Sequence, residues 1–201
     1  EQMLDSVDMT IVVSPELAKA KQKPGRTIHI VENAVDFEAF SRAAAGRRSP
    51  ADLSSLPGPR LGYCGLIGQR LDLDLLIGIA EARPDWSLVL IGKVDDTDCA
   101  DRLARLRALR NVHVLGQKAV SEVPDYIAGL DAGLLQYTLN LETENISPLK
   151  MYEYCAAGIP VVSTPIPAAL RHSDFLDVGS GDDEFIRLCE RALVPDDVAR
   201  R

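Results

Sequence analysis

Residues Glu144–Thr164 read ENISPLKMYEYCAAGIPVVST, and this stretch shows the alternation on which the chain is built. It predicts a loop, a helix that Ser147 caps and Pro148 begins, a Gly-Pro break and a strand at Val161–Val162. Strands and helices alternate in the same way from about Arg60 onward. This alternation predicts an α/β fold with a Rossmann-like parallel sheet flanked by helices.

The start of this helix has the chemistry of an anion site. The amides of Leu149, Lys150 and Met151 have no carbonyl partner within the helix, and the helix dipole is positive at this end. Lys150 adds a full positive charge, and Glu153 lies on the same face about one turn further on. These groups fit a diphosphate at the helix start and a ribose diol at Glu153. The alternative is a capped, partly exposed helix with an ordinary Lys/Glu pair.

A parallel sheet binds ligands at the carboxyl ends of its strands. The loops expected there are 65–70, 92–98, 116–120, 136–146 and 164–167. The helix start at Ser147 follows one of these loops, which favours the functional interpretation. Gly65 opens the first loop and Arg70 ends it. Arg70 is either a phosphate contact from the opposite side of the cleft or a solvated loop arginine.

Other catalytic or cofactor motifs fit the sequence less well. The segment GYCGLIG at 62–68 has GxxGxxG spacing, so turn chemistry is favoured over a nicotinamide site. The three histidines share no metal-ligand spacing, and no nucleophile elbow or phosphate-binding lysine loop is present. The sequence therefore predicts neither a metal nor another cofactor, and it identifies no catalytic residue.

The composition limits the kinds of binding partner and the cellular location that can be expected for the protein. With 22 Lys+Arg against 30 Asp+Glu, the net charge is -8, which argues against a nucleic-acid partner. Four well-separated cysteines, no bilayer-length apolar run and no signal peptide predict reduced thiols and a cytoplasmic location. The chain begins with Glu at an apparent helix end over residues 1–7, which we interpret as part of a longer protein. Residues 1–45 are predicted to end an N-terminal domain, 46–59 to form a polar linker, and 60–201 to form a second domain.

Taken in order, several segments resemble the GT-B fold glycosyltransferases of family four and its relatives, also called glycosyl transferases group 1. The resemblance covers nearly the whole chain, and its most specific part is SPLKMYEY at 147–154 with AGIPVV at 157–162. The other matching segments are IVVSPEL at 11–17, VENAVD at 31–36, GYCGLI at 62–67, LDLDLL at 71–76, PDWSLVLIG at 84–92, NVHVLG at 111–116 and VPDYI at 123–127.

The resemblance implies roles for the residues around the helix start. Glu153 would hold the ribose hydroxyls of a nucleotide sugar. Lys150 and the amides around Ser147, Pro148 and Leu149 would hold the diphosphate. The family's second glutamate, which meets the sugar, falls here on Asn145, with Glu144 beside it.

By this resemblance the full-length protein is a hexosyltransferase of cell-envelope polysaccharide biosynthesis. It would move a sugar from a UDP- or GDP-sugar to a saccharide or a lipid-linked acceptor. The acceptor site would come mainly from the N-terminal domain, together with a peripheral contact at the inner face of the membrane. We therefore expect the present chain alone to bind the donor and to transfer nothing. The alternatives are a nucleotide-sugar epimerase of the same fold and a non-catalytic nucleotide-binding module.

Overall fold

A computed structural model of the protein describes residues 4, 6–46 and 49–194. The predicted helix end at 1–7 lies for the most part outside these residues. The strands are β1 (Thr10–Val12), β2 (Ile28–Ile30), β3 (Arg60–Cys64), β4 (Ser87–Ile91), β5 (Val112–Gly116), β6 (Ala132–Leu135), β7 (Val161–Ser163) and β8 (Asp177–Val178). The helices are α1 (Pro15–Lys21), α2 (Phe37–Gly46), α3 (Ala51–Ser54), α4 (Leu73–Ala82), α5 (Ala100–Arg107), α6 (Val123–Ala128), α7 (Leu149–Ala156), α8 (Pro167–Arg171) and α9 (Asp182–Ala192). Turns of 3₁₀ helix lie at Val120–Glu122 and Thr143–Asn145.

The larger sheet has six parallel strands in the order β5-β4-β3-β6-β7-β8, and β1 and β2 form a separate parallel pair. The predicted α/β architecture is therefore confirmed. From β3 the chain moves outward through β4 to β5, then returns to β6 on the other side of β3 and continues to β8. The strand order thus reverses between β3 and β6. In open parallel sheets the ligand crevice lies at the carboxyl ends of the strands, at this switch point.

The middle strands of the larger sheet are buried throughout. Every residue of β4, β6 and β7 is buried, as expected for apolar strands that helices cover on both faces. One group of helices contains α2, α6 and α7, which contact one another, and a second group contains α4, α5 and α9. Helix α7 connects β6 to β7, so its first turn lies beside the switch point.

The segment predicted as a polar linker contains the short helix α3. Leu53 of α3 is fully buried in the core. Asp52 accepts a hydrogen bond from Lys118 Nζ at 2.6 Å and one from the Tyr126 hydroxyl at 2.8 Å. Helix α2, on the other side of this segment, packs on α6 and α7 through the buried Phe40. The polar composition of the segment did not indicate that Leu53 is buried or that Asp52 forms an ion pair with Lys118.

Candidate functional site

Two loops meet at the switch point, residues 65–72 after β3 and residues 136–148 after β6. The Asp72 amide donates to the Gln136 carbonyl at 2.8 Å, and the Thr138 amide donates to the Arg70 carbonyl at 2.9 Å. The Arg70 guanidinium also donates to Glu142 at 2.8 Å, and this bond raises the pKa of Arg70 above its usual range. Arg70 therefore lies on the wall of the crevice, but its guanidinium already forms an ion pair with the exposed carboxylate of Glu142.

The first turn of α7 begins one residue later than the sequence predicts. Pro148 is the residue before the helix, and no side chain caps it. The prediction that Ser147 caps the helix is wrong, because its hydroxyl accepts no bond from the first turn. This hydroxyl lies 3.4 Å from the Tyr152 hydroxyl. The cap fails because Pro148 is itself extended, with φ -66° and ψ 118°, and because the Ser147 carbonyl accepts a hydrogen bond from Asn33 and not from the helix.

Two of the three amides predicted to be free at this helix start remain free. Within the described part of the chain, the amides of Leu149 and Lys150 donate to no protein oxygen. The Met151 amide does have a partner, since it donates to the Pro148 carbonyl at 3.1 Å. That bond tightens the first turn into a 3₁₀ geometry, which the spacing alone did not indicate.

Lys150 and Glu153 form an ion pair on the first turns of α7. Glu153 is buried, with 7% of its surface exposed, whereas the Lys150 side chain keeps 20% of its surface exposed. Both charges act on Cys64, at the carboxyl end of β3, where burial is the main cause of a raised thiol pKa. The Lys/Glu pair of the alternative interpretation is thus confirmed as a contact, and it lies at the switch point beside β3.

A hydroxyl and a glycine that are not among the predicted site residues hold α7 against the sheet. Tyr154 is fully buried, and its hydroxyl oxygen accepts a hydrogen bond from the Cys64 amide at 2.9 Å. Its ring lies over β6, where a Cβ on Gly133 would come within 2.5 Å of it. An isolated glycine inside an apolar strand is the sequence signal that was available for this close approach.

The glycine-containing loop after β3 packs closely against the loop after β4. The Gly65 amide donates to the Ile91 carbonyl at 2.8 Å, so this amide is not free for a ligand. A Cβ on Gly92 would lie 1.8 Å from the Gly65 carbonyl oxygen, a distance that no side chain allows. This packing agrees with the turn role that the GxxGxxG spacing favours over a nicotinamide site.

The residues at the position of the family's sugar-contacting glutamate lie in the turn Thr143–Asn145. Glu144 is exposed. The Asn145 side-chain amide donates to the Leu141 carbonyl at 2.9 Å, and the Asn145 carbonyl accepts a bond from Ser14. Both residues lie on the loop that leads into α7, and Asn145 is held from both its side chain and its backbone.

The described residues contain neither a candidate metal-binding cluster nor a candidate membrane-spanning helix. No group of three or more His, Cys, Asp or Glu side chains there is arranged to hold a metal ion. All four cysteines are free, three of them buried and Cys155 exposed. Within the described ranges, none of the helices has the length and apolar character that crossing a bilayer requires.

Residues 58–193 match the family model described as Glycosyl transferases group 1, and the chain belongs to this family. It is also 32% identical over 188 residues to the putative teichuronic acid biosynthesis glycosyltransferase TuaH of Bacillus subtilis (strain 168). That match covers 90% of this chain and 45% of the relative, so the chain spans about half the length of the curated protein it resembles.

Solved structures share the fold at low sequence identity. Anabaena HepE in complex with UDP-glucose gives a TM-score of 0.74 at 16% identity, over 96% of this chain and 56% of that one. Sucrose-phosphate synthase from Thermosynechococcus elongatus gives 0.69 at 19% identity, over 99% and 52%. Together with the family match, these similarities confirm the GT-B assignment made from the sequence.

Proposed function

We propose that this chain supplies the nucleotide-sugar site of a glycosyltransferase, with a UDP-sugar as donor. The observation that carries the proposal is the cluster of positive groups at the start of α7, which consists of the free amides of Leu149 and Lys150 and the Lys150 ammonium. The Glu153 carboxylate lies beside this cluster. This cluster lies at the switch point of the sheet, where such folds bind ligands. UDP is preferred because the similar HepE structure holds UDP-glucose.

Each group has a defined role in the proposal. The diphosphate accepts hydrogen bonds from the two free amides and from Lys150, at the positive end of the helix dipole. Glu153 then accepts hydrogen bonds from the ribose diol. In the structure Glu153 is paired with Lys150, so donor binding exchanges one anionic partner of the lysine for another and gives the buried carboxylate two hydroxyl donors.

The same groups assist the transfer. The bond between the anomeric carbon and the diphosphate oxygen breaks, and the acceptor hydroxyl oxygen forms the new bond to that carbon and releases its proton. Negative charge therefore grows on the leaving UDP. Fixed amides and a lysine next to that oxygen stabilise the charge without reorganisation, so the proposal includes no metal.

The acceptor is proposed to be a growing cell-envelope polysaccharide or a lipid-linked saccharide at the cytoplasmic face of the membrane. This part rests on the relative that is named for teichuronic acid biosynthesis. The remaining half of the full-length protein would bind that acceptor, because GT-B transfer takes place between two domains. The present chain is accordingly proposed to bind the donor and to need that half for turnover.

Calorimetry with UDP, UDP-glucose, GDP and uridine tests the proposal. Lys150→Met should weaken UDP by about 1.5–3 kcal/mol, the range for a charge-assisted hydrogen bond, or about 10- to 150-fold. Uridine, which has no phosphate, should bind unchanged. Glu153→Gln should weaken UDP and uridine alike. The matched control is Lys19→Met on α1, where the lysine is exposed.

Two outcomes would contradict the proposal. If the wild-type chain bound no nucleotide, the donor site would be wrong. If Lys150→Met and Lys19→Met weakened UDP equally, the effect would be one of net charge and the diphosphate would lie elsewhere.

A further inference from the structure

Side chains from the first 46 residues hold the segment that leads into α7. The Ser14 hydroxyl donates to the Asn145 carbonyl at 3.0 Å, across 131 positions of sequence. The Asn33 side-chain amide donates to the Ser147 carbonyl at 2.6 Å, across 114 positions. Ser14 is fully buried and Asn33 is half-buried. The carbonyls of Asn145 and Ser147, just before the helix, are thus bound by donors from a distant part of the chain.

These bonds replace the local contacts that normally define a helix start. No side chain caps α7, and Pro148 has no N–H with which to fix the segment through its own backbone. The backbone of residues 145–148 leads directly into the peptide planes that carry the Leu149 and Lys150 amides, so a shift of that backbone would turn these amides. Asn33 and Ser14 hold two carbonyls of that backbone.

The same bonds favour an anion for an electrostatic reason. A carbonyl oxygen carries partial negative charge and would repel a phosphate if it turned toward it. With the Ser147 carbonyl bound to Asn33, that oxygen is directed toward the first 46 residues, while the amides that follow remain free. The acceptor is thus already bound, whereas the donors are available to a ligand.

An ion pair next to these bonds adds a third link. Arg171 at the end of α8 binds Glu16 of α1 and lies 3.9 Å from Glu32, the residue before Asn33. The Arg171 and Glu16 side chains are each only about one quarter exposed. The adjacent residues Glu32 and Asn33 thus both contact the part of the chain that carries α7 and α8.

We propose that Asn33 is a positioning residue of the nucleotide-sugar site, assisted by Ser14. It sets the start of α7 through the Ser147 carbonyl and so aims the free amides at the diphosphate; this role rests on the proposed function. Glu153 is held separately, because Tyr154, the next residue, binds the Cys64 amide. Loss of the Asn33 bond should therefore affect diphosphate contacts and leave ribose contacts in place.

The test uses Asn33→Leu, which keeps the side-chain size, removes the donor and adds no charge, with Asn33→Ala as a second variant in case the first does not fold. UDP should bind about tenfold more weakly, as for the loss of one such hydrogen bond, and uridine within twofold of wild type. Without ligand, hydrogen–deuterium exchange across residues 145–151 should be faster. The control is Gln22→Leu, whose side-chain amide binds the nearby carbonyls of Lys23 and Arg26. This variant should change none of these readouts.

The outcomes separate this role from the proposed function. If UDP responds to Lys150→Met but not to either Asn33 variant, the positioning role is wrong and the donor site stands. If the Asn33 variants weaken UDP and uridine equally, Asn33 is merely structural and the role is also wrong. If the wild-type chain binds no UDP, the donor site fails first and the positioning role fails with it, whatever the exchange rates show.

Discussion

Removing one oxygen atom from Tyr154 should destabilise the protein, while the same change two residues earlier should not. The Tyr154 hydroxyl is the hydrogen-bond acceptor for the Cys64 amide, at 2.9 Å in a fully buried position. Burial also raises the pKa of this phenol well above its usual range, so the hydroxyl is neutral at neutral pH. Tyr154→Phe keeps the ring against β6 and removes only the acceptor.

The magnitude follows from the amide that is left behind. A neutral hydrogen bond contributes about 0.5–1.5 kcal/mol net, but a buried donor left without a partner costs about 1–3 kcal/mol. No water can replace the lost oxygen without opening the contact between α7 and the sheet. Because the phenyl ring remains in place, the substitution creates no large cavity that would add to this loss of stability. We therefore expect the free energy of unfolding to fall by about 1–3 kcal/mol, with the melting temperature lower by about 2–4 °C per kcal/mol.

Urea unfolding followed by circular dichroism measures this difference. Tyr152→Phe is the matched control, because Tyr152 is half-buried on the same helix and, among the residues that the structure describes, its hydroxyl has a single hydrogen-bond contact, at 3.4 Å from the Ser147 hydroxyl. That control should change the free energy of unfolding by less than about 0.5 kcal/mol. Equal losses in the two variants, or no loss in Tyr154→Phe, would refute the argument that this hydroxyl seats α7 on β3.

Two further predictions concern packing and pH. Gly133→Ala should lower the free energy of unfolding by about 1–3 kcal/mol through overpacking, because its Cβ would lie 2.5 Å from the Tyr154 ring. The control is Gly46→Ala, whose Cβ meets nothing within 4 Å. Equal unfolding midpoints of the two variants in urea would contradict the clash. The hydrogen bond from Lys118 holds the pKa of Asp52 below its ordinary value of 3.8, so the pair stabilises the fold above that pH and loses its effect as the pH falls through the lowered pKa. Asp52→Asn should cost at most about 1 kcal/mol at neutral pH, since the carboxylate is 42% exposed. Thermal unfolding curves of the two proteins should converge as the pH falls through the lowered pKa of Asp52. A gap that persists below that pKa would rule out the charge as the cause.

Much of the secondary structure could be predicted from local pattern. The apolar run of β4 and the Gly-Pro break before β7 are local signals, and the structure confirms both elements. Helix α3 escaped prediction because four residues with one buried leucine carry too little periodicity. The cap of α7 was predicted wrongly because Ser147 has the right side chain for a cap, but its backbone is held by a residue 114 positions away.

By itself the sequence determined the alternation of strands and helices, the charged residues at the start of α7 and the family. Each of these depends on residues that are neighbours in the chain, where periodicity and spacing act directly. Only the tertiary structure decided that β6 returns to lie beside β3, that Tyr154 reaches Cys64, and that Asn33 holds the segment before α7. These contacts depend on how distant segments pack, and no local pattern encodes which distant partner a hydroxyl or an amide will find.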